Sequence, residues 1–113
     1  MPQYLISFND GAMTFPDEEL PEVARAARAV VQRAKDAGVF VFAGGLGSPD
    51  DASVVAVDGS IADGPDPATR DFIGGFTVVD VPSRAEANQW AARIAVACRC
   101  AQEVRPFLGT PTR

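Results

Sequence analysis

A chain of 113 residues with 10 basic and 15 acidic side chains and a formal charge of −5 predicts one domain over 1–113, large enough to bury roughly 65% of its unfolded surface with no metal or disulfide staple. The basic residues are scattered and outnumbered, which argues against a nucleic-acid partner. No apolar run approaches the ~18 residues of a membrane span and residues 1–7 lack the basic start and apolar stretch of a leader, so the expectation is a cytoplasmic protein with no membrane partner.

In chain order, a first strand is expected at 4–8. Over 21–37, Val23, Ala27, Val30, Val31 and Ala34 recur at three- and four-residue steps while Arg25, Arg28, Gln32 and Lys35 take the other side, which predicts an amphipathic helix. Asp17, Glu18 and Glu19 put negative charge at its start, Pro21 suits its first turn and Gly38 suits the left-handed position past its end. A strand at 39–42 follows. Gly44-Gly45-Leu46-Gly47 has the composition of a phosphate-cradling loop, but Ser48-Pro49-Asp50-Asp51 stands where the helix of such a loop should begin.

Strands at 53–57 and 60–62 flank Asp58-Gly59, the pair favoured in a two-residue hairpin turn because it tolerates positive φ. A strand at 76–81 leads to Ser83-Arg84-Ala85-Glu86, a capping box that opens a second helix, with Ala87, Trp90, Ala91, Ile94, Ala95 and Cys98 as its apolar stripe. Cys98 and Cys100 are too close in sequence to bridge separate elements and are expected to be free thiols of a reducing compartment. A last strand at 103–107 carries Glu103 and Arg105 on one side, spaced for an ion pair, and Pro106 suggests an edge.

The order β-α-β-β-α-β with an added hairpin limb predicts an α+β, ferredoxin-like fold, with an antiparallel sheet carrying both helices on one face. Val39-Phe40-Val41-Phe42 is apolar on both sides, and in 76–81 Phe76 and Val78 face one way while Thr77, Val79 and Val81 face the other. Two helices cover one face only, so the second apolar face calls for another protein surface, most simply a second copy of the chain.

The pieces "AGGLGSP", "DGP", "TRDFIGGFTVVDVPSRAEANQWAARI" and "EVRPF", in this order over residues 43–107, resemble the YCII-related family, in particular its DGPF-domain branch. The resemblance implies a dimeric α/β-barrel, two ferredoxin-like units packed sheet to sheet, related in fold to muconolactone isomerases. It also implies small-molecule chemistry, and some members resemble partners of extracytoplasmic-function sigma-factor systems. Two departures bear on mechanism. Where the family's DGP is usually followed by Phe and, after a small residue, Glu, this chain has Asp66 and Ala68. The His-Asp pair proposed for related members has no counterpart, because the sequence contains no histidine.

Candidate site residues cluster in 61–76. Asp63, as a desolvated base, and Arg70, as a fork for an anionic ligand, would form a polar pocket with Asp66 and Asp71. The alternative is that Asp63-Gly64-Pro65 is a turn and the remaining charges are solvated. Gly74 and Gly75 either let a ligand approach the backbone or mark a bulge or bend. No cofactor or metal is expected, since two cysteines and no histidine cannot complete a usual site. Two functions stay open. One is a cofactor-free isomerase or lyase acting on a small anionic or phenolic metabolite, with Asp63 catalytic and Asp66, Arg70, Gly74 and Gly75 binding. The other is a non-catalytic binding or regulatory module that has lost the family's catalytic groups.

Overall fold

The computed structural model describes residues 2–69 and 71–109. Among these residues six strands, β1 (Gln3–Asn9), β2 (Phe40–Gly45), β3 (Ser53–Val55), β4 (Ile61–Asp63), β5 (Ile73–Asp80) and β6 (Glu103–Pro106), and two α-helices, α1 (Leu20–Asp36) and α2 (Arg84–Cys98), follow in the order β1-α1-β2-β3-β4-β5-α2-β6. Four strands form one antiparallel sheet in the order β2-β5-β1-β6, and β3 and β4 pair only with each other as a separate ribbon. The chain therefore has the α+β, ferredoxin-like architecture that the order of elements predicts.

Each helix forms where local chemistry closes its ends. Pro21 occupies the first turn of α1, and beyond its last turn Gly38 takes φ +76°, which only glycine adopts cheaply. This lets the Val39 N–H turn back to the Ala34 carbonyl at 3.1 Å and start β2 beneath the helix. At the start of α2 the Ser83 hydroxyl accepts from the Glu86 N–H at 3.2 Å, one of the two bonds expected of a capping box. Ala87, Trp90, Ala91, Ile94, Ala97 and Cys98 are buried along α2. Ala97 thus takes the fully buried place expected for Ala95, because the helix lies in a cleft between the sheet and α1 and buries more than one narrow stripe.

The far end of α2 carries a feature that composition hides. Arg99 adopts the left-handed conformation, φ 61°, and both its N–H and that of Cys100 return to the Ala95 carbonyl. A non-glycine residue there costs conformational energy. Its guanidinium is bound by Glu19 and lies 3.8 Å from Glu22, so the strained cap ties the end of α2 to the beginning of α1.

The core lies between the helices and one face of the sheet. Tyr4 and Ile6 of β1, and Val79 with the following Val81, pack there against Ala34, Ala87, Trp90, Ala91 and Ile94. On the opposite face lie Leu5, Phe42, Phe76 and Val78. Phe42 is 58% exposed, and its ring centroid lies 5.9 Å from that of Phe76. The two-sided apolar pattern of the strands is thus real, and among the described residues no helix covers the second face.

At Asp58-Gly59 the expected two-residue turn is instead a three-residue loop. The Ala56 N–H donates to the Ser60 carbonyl, the Gly59 N–H donates to the Ala56 carbonyl, and Gly59 takes φ +88°. A type I turn followed by a left-handed glycine is the next most common hairpin solution. Asp58 stabilises it by accepting from the Ser60 N–H at 2.9 Å, a bond that holds its carboxyl below the ordinary range. The paired strands are correspondingly short. Among the described residues no helix is long and apolar enough to cross a membrane.

Candidate functional site

At one end of the main sheet β1 and β2 finish and β5 begins, and here the backbone comes very close to its neighbours. A Cβ added at Gly75 would lie 2.6 Å from Cζ of Phe8 and 3.2 Å from the Gly44 carbonyl oxygen, and one added at Gly74 would lie 2.9 Å from the Asp10 Cα. The aromatic ring of Phe8 therefore rests directly on the backbone of β5. Gly74 sits against the stretch where the β1–β5 register shifts at Phe8/Asn9. The close approach that these glycines permit is made by the protein's own Phe8 and Asp10.

Between this end of the sheet and the helices lies a cleft of about 230 Å³. Its sheet wall is Phe8, Ala43 and Thr77 with the backbone of Gly44 and Gly45, and its helix wall is Ala27, Val30 and Val31 of α1 and Ile94, Ala97 and Cys98 of α2. Met13 closes it from the β1–α1 connection. The space exists because small residues face one another: Ala43 on β2, Ala27 on α1 and Ala97 on α2 leave volume that leucines would fill.

Among the described residues that line the cleft, Thr77 and Cys98 alone have polar side chains, and none is a carboxylate, ammonium or guanidinium. Burial pushes the Cys98 thiol up from its ordinary value, and the neighbouring Cys100 pushes it further. Both causes favour the neutral thiol, so Cys98 carries little thiolate at neutral pH and is a poor nucleophile. The cleft can therefore supply dispersion contacts, one hydroxyl and a weak S–H donor.

The residues singled out in the sequence lie elsewhere. Asp63 ends β4, exposed and opposite Ser53. Asp66, also exposed, accepts from the Ala68 N–H at 2.9 Å while its carbonyl accepts from the Thr69 N–H, which makes a local turn. Arg70 lies outside the described residues. Asp71 lines a second groove of about 520 Å³ at the root of the β3–β4 ribbon, with Leu46, Ser48, Asp51, Thr69 and Phe72. Neither Asp63 nor Asp66 borders this groove or the cleft. Gly75 alone touches the cleft's architecture, through the Phe8 ring. The cleft residues escape sequence reasoning because they are ordinary core types drawn from five elements; the signal they leave is the concentration of alanine and glycine on faces that should meet. Glu103 and Arg105 sit on the open face of edge strand β6, opposite Ser7 and Leu5.

The model of the YCII-related domain family matches residues 3–107, from the first strand to the end of the last. The chain belongs to the YCII-related family. No curated protein matches it. The match takes in β1 and α1 as well as the 43–107 portion that carries the quoted motifs, so every element that walls the cleft belongs to the YCII-related domain.

Proposed function

We propose that this YCII-related domain, of the DGPF type, is a cytoplasmic small-molecule-binding homodimer, and that the cleft between the sheet and the helices is its ligand site. The observation that carries the proposal is the lining: a pre-formed apolar cleft with one hydroxyl and no described acid–base group. Such a site selects a neutral, compact molecule, a monocyclic phenol or a small lactone, and would penalise a carboxylate by leaving its charge desolvated and unpaired. Of the two functions open in the sequence, the geometry favours the binding module, since proton abstraction needs a base within hydrogen-bond reach of the ligand. Free thiols suit a reducing compartment.

The test is a thermal-shift screen of phenols, lactones and benzoates. A phenol at 100 times its Kd adds about 2.7 kcal/mol to stability and raises the melting temperature, whereas benzoate leaves it unchanged. Thr77→Val, which removes the hydroxyl at nearly constant volume, and Ala43→Leu, which fills the cleft, should both abolish the shift; Asp63→Asn and Arg70→Ala should retain it. A shift that survives Ala43→Leu and disappears in Arg70→Ala would move the site to the 61–76 segment and restore the anionic-ligand, isomerase-type alternative.

The homodimer forms through the open face of the sheet. Phe42 is mostly exposed and Leu5 and Phe76 are partly so around the buried Val78, an apolar surface that a monomer would leave partly in water and that a second copy matches by symmetry. A mass near 24 kDa by light scattering is expected from a chain of 11.9 kDa.

A further inference from the structure

The β3–β4 ribbon stands apart from the body. Among the described residues its two strands pair with each other alone and its packing against other elements is slight, although a two-stranded hairpin alone is marginally stable in water. Val55 and Ile61 face each other across the ribbon and share a face with Asp63; both are mostly exposed, and Val57 at the loop is fully so. Around them the chain from 46 to 72 carries Asp50, Asp51, Asp58, Asp63, Asp66 and Asp71 against the single base Arg70. The ribbon is thus an acidic arm with an uncovered apolar face.

The opposite character appears on the outer surface of the helix layer. There α1 and α2 leave a groove of about 690 Å³, floored by Ala26, Ala29, Ala92 and Val96 and flanked by Arg33 and Arg93. Val96 is 81% exposed. Arg99, held by Glu19 and Glu22, adds a third guanidinium to the groove wall. Glu22 lines the groove as well and with Glu19 offsets Arg99, so the positive character of the furrow rests on Arg33 and Arg93; among the described residues none of the arm lines the groove of its own chain.

We propose that the β3–β4 arm of one molecule docks into the α1–α2 groove of a second copy, with Val55, Val57 and Ile61 on the alanine floor and Asp58 and Asp63 toward Arg33 and Arg93. Charge complementarity commits the groove to this occupant: the acidic apolar element and the furrow flanked by Arg33 and Arg93 are both present on one chain, with Val55, Val57, Ile61 and Val96 all exposed. The contact is head-to-tail, because arm and groove are different surfaces. It is independent of sheet-face pairing and of the ligand cleft.

The experiment is sedimentation velocity at 50 mM and 500 mM NaCl on full-length protein and on two variants with fold-neutral changes at exposed positions, Val57→Lys in the arm and Ala29→Glu in the groove. Wild type should show an association step beyond the sheet-face dimer, weaker by about tenfold at the higher salt. Each variant alone should lose that step and keep the dimer. An equimolar mixture should regain it, since the intact arm of Ala29→Glu fits the intact groove of Val57→Lys. A wild type that stops at the dimer, variants that associate as wild type does, or a mixture that fails to recover would each overturn the docking. Loss of the sheet-face dimer in Phe42→Asp with arm docking retained shows that the two contacts are separate.

Discussion

Phe40 and Phe42 point to opposite faces of the sheet, because the β2–β5 register shifts between them: Phe40 stands opposite Val79, whereas Phe42 stands opposite the adjacent Val78. The extra residue is Val41. In a regular strand, residues two apart share a face. The bulge instead sends one aromatic ring under the helices and the other onto the open surface.

Substitutions at the two phenylalanines should therefore act on different equilibria. Phe40→Ala, at a half-buried ring packed on the core, should lower the unfolding free energy by about 2–3 kcal/mol, read from urea denaturation of the isolated variant. Phe42→Asp should leave monomer stability within about 0.5 kcal/mol and, in a Val57→Lys background without arm docking, halve the mass seen by light scattering. A Phe42→Asp protein that remains dimeric when Val57→Lys has also removed arm docking would place the interface elsewhere.

Gly74→Ala and Gly75→Ala should differ in kind. At Gly74 the new methyl meets the backbone of Asp10, which must move, and a cost of about 1–3 kcal/mol is expected. At Gly75 it meets the tip of the Phe8 ring, the far end of a side chain that lines the cleft, and more loosely the Gly44 carbonyl oxygen at 3.2 Å. Gly75→Ala should thus cost less stability and more ligand affinity than Gly74→Ala, a crossover visible when melting temperatures are compared with and without phenol.

At the end of α2, two forces compete in Arg99. Arg99→Gly relieves the left-handed strain and loses the contact with Glu19; Arg99→Ala loses the contact and keeps the strain. The alanine variant should be less stable than the glycine variant by about 1 kcal/mol, measured by chemical denaturation.

Cys98 sets a pH dependence whose sign follows from its raised value. Above about pH 9 the unfolded thiol ionises while the folded one keeps its proton, so the unfolded state binds fewer protons and stability falls as pH rises. Cys98→Ser should flatten that alkaline decline. Alkylation by iodoacetamide at pH 7 should be slower in the native protein than in urea-unfolded chain; equal rates would show that the thiol is not shielded.

The architecture was legible in the sequence because each signal was local: the three- and four-residue steps of α1, Gly38 behind it, Ser83 before α2. Apolar residues on both sides of 39–42 and 76–81 likewise foretold the uncovered sheet face. The Val41 bulge was not legible, since a bulge is a property of two strands and the sequence shows one at a time. Asp58-Gly59 announced a hairpin but not its loop length, which the pairing of Ala56 with Ser60 decides. Arg99 in a left-handed cap runs against its own preference and is held by Glu19, eighty residues away. The site was the least visible part. Aspartates and paired glycines mark 61–76 in the sequence, whereas the cleft is assembled from alanines, Thr77 and Cys98, which read there as ordinary helix and strand faces and whose meeting depends on the tertiary fold.

The arm is, topologically, an insertion within a hairpin. β2 and β5 are antiparallel neighbours with Gly45 opposite Gly75, and the Leu46 N–H bonded to the Gly74 carbonyl at 2.8 Å closes the neck. Everything beyond that neck behaves as a cassette. Excising 48–71 in favour of a short turn should leave the four-stranded body intact, and segments of other lengths can be spliced there at a closure cost that grows by only about 0.6 kcal/mol per doubling. The scaffold and its outermost contact surface can thus be engineered separately, with new termini or a reporter domain placed at the arm's tip while the core folds as before.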